Sequence, residues 1–451
     1  MEGAGLERAG VQIGARFVVD KRLDDRLNED FRGKSFNVTS RTRNGLTRPL
    51  MEIRCLALGE VFDQISMVKL AIRAGRIVIT ANYIEANAVK RVRRVWEKLQ
   101  NDMALTVGSV FHAGGVMDKA MHEGFSESGV QTFVQVAVEL ERKYLASSLR
   151  NNPELFRDDS VLVTSDIRLV EWPRLPYCDI LMGGVPCTGA SRSGISKNKL
   201  EVAEEHESAG SLFYDYLEAV KYFNPAVTVL ENVPEYGKTA SMMVVRSVLG
   251  SRGYRLYEAV LDGNTFGALE ARHRLVLIGI TDKFGADFDA ATVLPVRIKE
   301  GSLKEILDDV PLDSSRWKAN EGLAAKAIRD KEAGKGFSRQ LLTGDEGRCG
   351  TIGKGYNKNR STEPFIVHPQ NPELSRLLTV GEHARVKGIP ESIVDGESTT
   401  VAHEILGQSV IYPVFKAVGL ALGQYLLSTM PNAVRRITVD PVATIPSEQA
   451  A

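Results

Sequence analysis

The sequence predicts an α/β fold built on a mostly parallel sheet covered on both faces. Two observations predict it. Apolar strands alternate with amphipathic helices from Leu105 to Ile280, and several of these strands run into small-residue turns that carry polar side chains. The predicted strands are Leu105–Phe111, Thr132–Val138, Val161–Val163, Ile180–Met182, Val227–Leu230, Arg255–Val260 and Leu275–Ile280. Helices are expected between them near Val116–His122, Arg142–Arg150, Leu212–Phe223 and Ser241–Leu249. Residues 283 to about 345 break the rhythm, being charged and Gly-containing with short helical stretches. Periodicity returns at Leu377–Gly388 and in the apolar helix Pro413–Leu427. At the other end, residues 1 to about 50 are polar and read as a loosely ordered arm. Short β-like runs follow, then a helix at Ile84–Leu99 whose Lys90, Arg91, Arg93 and Arg94 read as a solvated face.

Composition sets the bounds. A chain of 451 residues has room for one large domain and one or two smaller ones. Lysines and arginines number 57 and aspartates and glutamates 57, so net charge does not point to a polyanionic partner. Cys55, Cys178, Cys187 and Cys349 lack metal-ligand or disulfide-framework spacing, so no metal is expected. No apolar run approaches membrane-spanning length, and the N-terminus lacks a basic stretch followed by an apolar one. The expectation is a cytoplasmic protein without a membrane partner.

The strand ends carry the chemistry. In Asp179-Ile180-Leu181-Met182-Gly183-Gly184-Val185-Pro186-Cys187 a short strand lifts a thiol to its carboxyl end, where open parallel sheets place ligands. Val227 to Pro234 delivers Glu231 in the same way, and a third segment ends in Glu270-Ala271-Arg272-His273-Arg274. A thiol, a carboxylate and two guanidiniums can attack, protonate and clamp an electron-poor ring. The first strand runs into Phe111-His112-Ala113-Gly114-Gly115 and a helix. Glycines there let the backbone pass close to a nucleoside, and the helix N-terminus suits a carboxylate or phosphate. Glu139, ending the second strand, can grip ribose hydroxyls, and Asp166-Ile167 after the third can hold an adenine edge. Without a Gly-rich lysine loop, ATP hydrolysis is disfavoured, and the set suits S-adenosyl-L-methionine better than a dinucleotide.

Over roughly Leu105 to Leu427 these residues resemble the DNA (cytosine-5) methyltransferase family. Phe111–Gly115 looks like its cofactor loop, Glu139 and Asp166 like its acidic anchors, and Pro186-Cys187 like its nucleophile block. Glu231-Asn232-Val233 resembles the acid block and Arg272-His273-Arg274 the arginine pair. Arg376 to Thr379, Glu382, Ala384-Arg385 and Gly388-Ile389-Pro390 match the block after the recognition region, and Gly407-Gln408-Ser409-Val410 with Pro413 the last one. Thr188, Glu270 and Gln408 depart from the family's Gln, Gln and Asn, and His112 stands at a glycine position.

The resemblance implies a Rossmann-like S-adenosylmethionine-dependent methyltransferase sheet over residues 104–282 and 371–430. A small target-recognition domain would span 283–370, with an N-terminal extension over 1–103 and a tail over 431–451. It implies Cys187 as nucleophile, Glu231 as acid, Arg274 on the ring carbonyl and Arg272 as a brace. S-adenosyl-L-methionine would meet Phe111, Gly114, Gly115, Glu139, Asp166, Ile167, Pro186, Ser409 and Val410. Double-stranded DNA would meet Ser191, Arg192, Lys197 and Lys199 of a basic loop beside Cys187, and Lys354, Tyr356 and Lys358. A bacterial or phage source and a cognate restriction endonuclease as candidate partner follow from the same resemblance. Two alternatives stand beside it: methylation of tRNA, and a DNA-binding regulator with a degenerate site, against which Cys187, Glu231 and Arg274 argue. Cys178 is expected in the core, His273 in packing, and Phe213, Tyr214 and Tyr216 in the core.

Overall fold

The computed structural model describes residues 4–19, 22–23, 26–27, 35–53, 62, 65–74, 76–186, 204, 210–334 and 339–431. They fall into two compact units, Met1–Lys90 and Arg91–Ala451. In the first, Thr39–Arg43 pairs antiparallel with Leu46–Leu50, and Val68–Arg73 with Arg76–Ala81. The segment expected to be a loose arm is therefore a hairpin over residues 39–50. Asn44 and Gly45 turn it with φ of 53° and 78°, the left-handed pair that a tight two-residue hairpin needs. Leu6, Val38 and Met51 bury together beside it.

The second unit is a seven-stranded sheet. Its strands are β1 (Leu105–Val110), β2 (Thr132–Glu139), β3 (Val161–Thr164), β4 (Ile180–Gly184), β5 (Val227–Asn232), β6 (Tyr254–Asp262) and β7 (His273–Thr281). They lie in the order β3-β2-β1-β4-β5-β7-β6. The run from β3 to β5 is parallel, whereas β7 is antiparallel to both of its neighbours. β1 and β2 are buried along their whole length, as strands covered on both faces must be. The strand order reverses between β1 and β4, the kind of switch point at whose carboxyl ends open α/β sheets bind ligands.

Two apolar clusters cover the faces of the sheet. One takes Val92 and Val95 from the helix α1 (Tyr83–Gln100), with α2 (Val116–Glu127), α8 (Thr399–Gln408) and α9 (Tyr412–Ser428). The other takes α4 (Leu212–Phe223) and α5 (Ala240–Ser251). α2 and α9 approach closely: a Cβ on Gly419 would lie 2.5 Å from the Met121 carbonyl oxygen. No single described helix is long and apolar enough to cross a membrane.

Of the four basic residues expected to form a solvated face on α1, Lys90 and Arg93 are exposed, whereas Arg91 and Arg94 turn inward. Arg91 is buried and donates to the Thr281 hydroxyl and the Arg252 and Gly253 carbonyls. Arg94 and Lys98 both reach Asp179, at 2.6 and 2.5 Å. Between β7 and α7 (Val380–Arg385) lie α6 (Glu321–Glu332) and a small sheet of β8 (Gln340–Leu342), β9 (Pro364–Val367) and β10 (Ser375–Arg376). Leu303, Ile306, Ile352 and Ile366 form the core of that segment with Leu269.

Candidate active site

The reversal of β7 decides the geometry. Because β7 runs against β5, its first residues lie at the carboxyl ends of the parallel strands. The arginine pair thus sits at the start of a strand and not, as expected, at the end of one. Glu231 on β5 is held between Gly184 of β4 and Val276 of β7. Its Oε1 accepts Arg274 Nε in an ion pair of 2.7 Å, with both side chains still partly open at 15% and 13%. Gly184 leaves the neighbouring space clear, since a Cβ there would stand 3.3 Å from Glu231 Oε2.

Next to this pair the chain proceeds through Val185 and half-buried Pro186 towards Cys187. Asn232 pins that exit: its Nδ2 donates to the Val185 carbonyl at 3.0 Å, while its Oδ1 accepts the Val233 N–H. The sequence placed Asn232 in a motif without giving it a task. Cys187 and the loop residues Ser191, Arg192, Lys197 and Lys199 lie outside the described residues. Arg272 is buried and donates to the Ile352 carbonyl at 3.1 Å.

The turn after β1 is strained. Phe111, Ala113 and Gly115 take φ of 59°, 51° and 72°, and two of the three are not glycine. Glu139 at the end of β2 holds the turn, accepting Ala113 N–H at 2.7 Å through one oxygen and Glu141 N–H at 2.9 Å through the other. A carboxylate has further lone pairs for hydroxyl donors. His112 is buried under the turn, sharing hydrogen bonds with Ser109 and Ser148 hydroxyls and lying 3.1 Å from Asp118. Gly114 packs against Ile405 of α8, where a Cβ would come within 2.5 Å. Gly114 and Gly115 are therefore required by the close packing of the turn against Ile405, Ser148 and His112.

Asp166 follows β3, caps the turn Ile167–Leu169, and is held below the usual carboxylate range by the Arg168 side chain and then its N–H. Ile167 and Val410, expected to touch cofactor, are 5% and 6% exposed in the two core clusters. Their surface is used in packing and leaves little for a ligand. Ser409 turns its hydroxyl onto the Leu406 carbonyl at 2.7 Å.

Tyr356 is no DNA contact. It is fully buried, donating to the Pro364 carbonyl at 2.7 Å and accepting Leu378 N–H at 2.8 Å. Lys354 and Lys358 on either side of it are exposed, Lys354 standing 4.8 Å over the Tyr144 ring. Cys178 and Cys349 are buried, and burial pushes both thiols up. His273 is exposed, not packed, and Tyr214 is 59% exposed while Tyr216 is in the core. Among the described residues no group of three His, Cys, Asp or Glu is placed to hold a metal.

A strand-order reversal in a parallel sheet, a glycine turn tied to Glu139 on one side and a carboxylate–guanidinium pair on the other place this chain in the Rossmann-like class. The chain belongs to the C-5 cytosine-specific DNA methylases, whose profile matches residues 119–424. It is 29% identical over 262 residues to the Type II methyltransferase M.NlaX of Neisseria lactamica, covering 57% of this chain and 79% of that one. To M.HhaI of Haemophilus parahaemolyticus it is 26% identical over 274 residues, covering 58% and 80%. The fold also matches that of the S. pombe Dnmt2 methyltransferase, with a TM-score of 0.56 at 18% identity over 72% of this chain and 99% of that one.

Proposed function

We propose that this chain methylates carbon-5 of cytosine in duplex DNA, with Cys187 as nucleophile and S-adenosyl-L-methionine as donor. The observation that carries the reading is the Glu231–Arg274 pair beside the strand exit that leads to Cys187. Carbon-5 of cytosine is a weak nucleophile. Addition of the Cys187 thiolate to carbon-6 moves electron density onto carbon-5 and ring nitrogen 3. Arg274 is drawn to the ring carbonyl, and Glu231 hydrogen-bonds ring nitrogen 3. A positioned acid of this kind is worth about 10²–10⁴ in rate.

S-adenosyl-L-methionine supplies an electrophilic methyl group when bound; Glu139, Asp166 and the backbone of Phe111–Gly115 would hold it. Once carbon-5 carries the methyl group, a base takes its proton, the ring double bond re-forms and the Cys187 sulfur leaves with its electron pair. The target nucleotide must leave the helix first, at a cost of about a few kcal/mol. Residues 283–370 serve as the recognition region. Lys354, Lys358 and the loop Ser191 to Lys199 meet phosphates, which position without specifying sequence. The likeness to Type II enzymes supports pairing with a restriction endonuclease.

Radiolabelled methyl from S-adenosyl-L-methionine should enter duplex DNA with the wild type and not with Cys187→Ala. A duplex containing 5-fluorocytosine should become covalently attached at Cys187. Label entering tRNA alone, or an adduct mapped to another residue, refutes the proposal.

A further inference from the structure

Glu270, Arg272 and Lys387 form an ionic cluster closed to solvent, at 0%, 5% and 0% exposure. Glu270 Oε2 lies 3.0 Å from Lys387 Nζ, and its Oε1 lies 3.2 Å from Arg272 Nη1 while accepting Ile352 N–H at 3.1 Å. Three stretches of chain meet there: the extended segment entering β7, residues 349–352 of the recognition segment, and the turn after α7. Backbone hydrogen bonds stitch the same three together. Leu269 and Glu270 N–H donate to the Val386 carbonyl, Cys349 N–H to Leu269, and Ala271 N–H to Cys349.

A buried ion pair is poor evidence for stability, because desolvation offsets its attraction; removing one member leaves an uncompensated charge. Burial and the Arg272 charge push Lys387 down to about 7, and Glu270 opposes them. Such a cluster tolerates one geometry, which makes it suited to orientation. Glu270, Arg272 and Arg274 alternate along an extended segment, so they share a face with Arg274 at its outer end.

We propose that Glu270 and Lys387 are a positioning pair that clamps residues 349–352 and the turn after α7 onto the segment presenting Arg274 to Glu231. The catalytic consequence rests on the proposed reaction; the clamp does not.

The test compares Glu270→Gln, Lys387→Gln and the double variant in the full chain. Each single variant should speed hydrogen exchange in 269–274 and 349–352 together. Each should also lower kcat on duplex DNA by about ten-fold or more, leaving KM for S-adenosyl-L-methionine within about two-fold. The double variant, with an amide pair in place of Glu270 and Lys387 and the net charge of the cluster unchanged because Arg272 is retained, should recover slow exchange and most of kcat. Singles that match wild type overturn the proposal, as does accelerated exchange in one segment alone or a double variant no better than the singles. If the singles fail to fold, a folded, slowly exchanging double supports the clamp and an unfolded one overturns it. A wild type that transfers no methyl group to DNA counts against the proposed reaction, while the exchange comparison still decides the clamp.

Discussion

The two ends of the same strands carry opposite kinds of ion cluster. At the amino end, Asp179 is wholly buried and saturated, accepting the Thr106 N–H and hydroxyl at 2.8 and 2.9 Å beside Arg94 and Lys98. Burial raises its carboxyl, but the two cations outweigh that and hold it below the usual range. At the carboxyl end, Glu231 has, among the described residues, one guanidinium at 2.7 Å and partial access to solvent. The first cluster fastens α1 to β1 and β4. The second keeps a carboxylate whose partner can be exchanged. Among the described residues, the cluster proposed for catalysis is the more open of the two.

That contrast can be broken most directly at Glu231. Glu231→Gln should cost about 10²–10⁴ in kcat while the melting temperature stays near that of wild type; a large loss of stability with kcat intact would reverse the assignment of roles. Asp179→Asn should do the opposite, costing about 3–5 kcal/mol by leaving two cations unmatched. Urea titration should show that loss, and kcat per folded molecule should stay within about two-fold of wild type.

Acid sharpens the comparison further. His383 and His403 face each other through their Nδ1 atoms at 2.8 Å, and burial pushes His403 down to about 4 and His383 well below its usual value. The unfolded chain binds these protons first. Stability complete above the ordinary histidine value should therefore fall as pH drops towards about 4, by up to roughly 3 kcal/mol for His403. Asp179 should hold until lower pH, because its folded value is depressed below that of a free aspartate. Urea midpoints across that range should show the slope, and His403→Gln should flatten it. The smallest effect is expected at Lys354→Ala and Lys358→Ala, each reducing the salt slope of DNA affinity by about 1. Unchanged slopes would remove both from the phosphate contacts.

The central strands were legible because burial on both faces leaves an apolar run with few alternatives. Their polarity was not: Leu275–Ile280 reads the same in either direction, so the reversal that brings Arg274 to Glu231 is invisible in the residues alone. The acid and arginine blocks were legible as types, and their contact needed the sheet. Tyr356 misled because its neighbours are polar, while its own hydroxyl is satisfied by Pro364 and Leu378 from elsewhere in the chain. Arg91 and Arg94 misled for the converse reason, since partners distant in sequence draw them inward. Asn44-Gly45 carried a hairpin signal that the polar surroundings obscured.

The contact of Gly114 with Ile405 has an implication for biosynthesis. The glycine turn is translated before α8, the helix that packs against it. A partly translated chain can assemble most of its sheet and still present a pocket open on one side. Ligand binding at this turn should therefore switch on when α8 docks, and not grow with chain length.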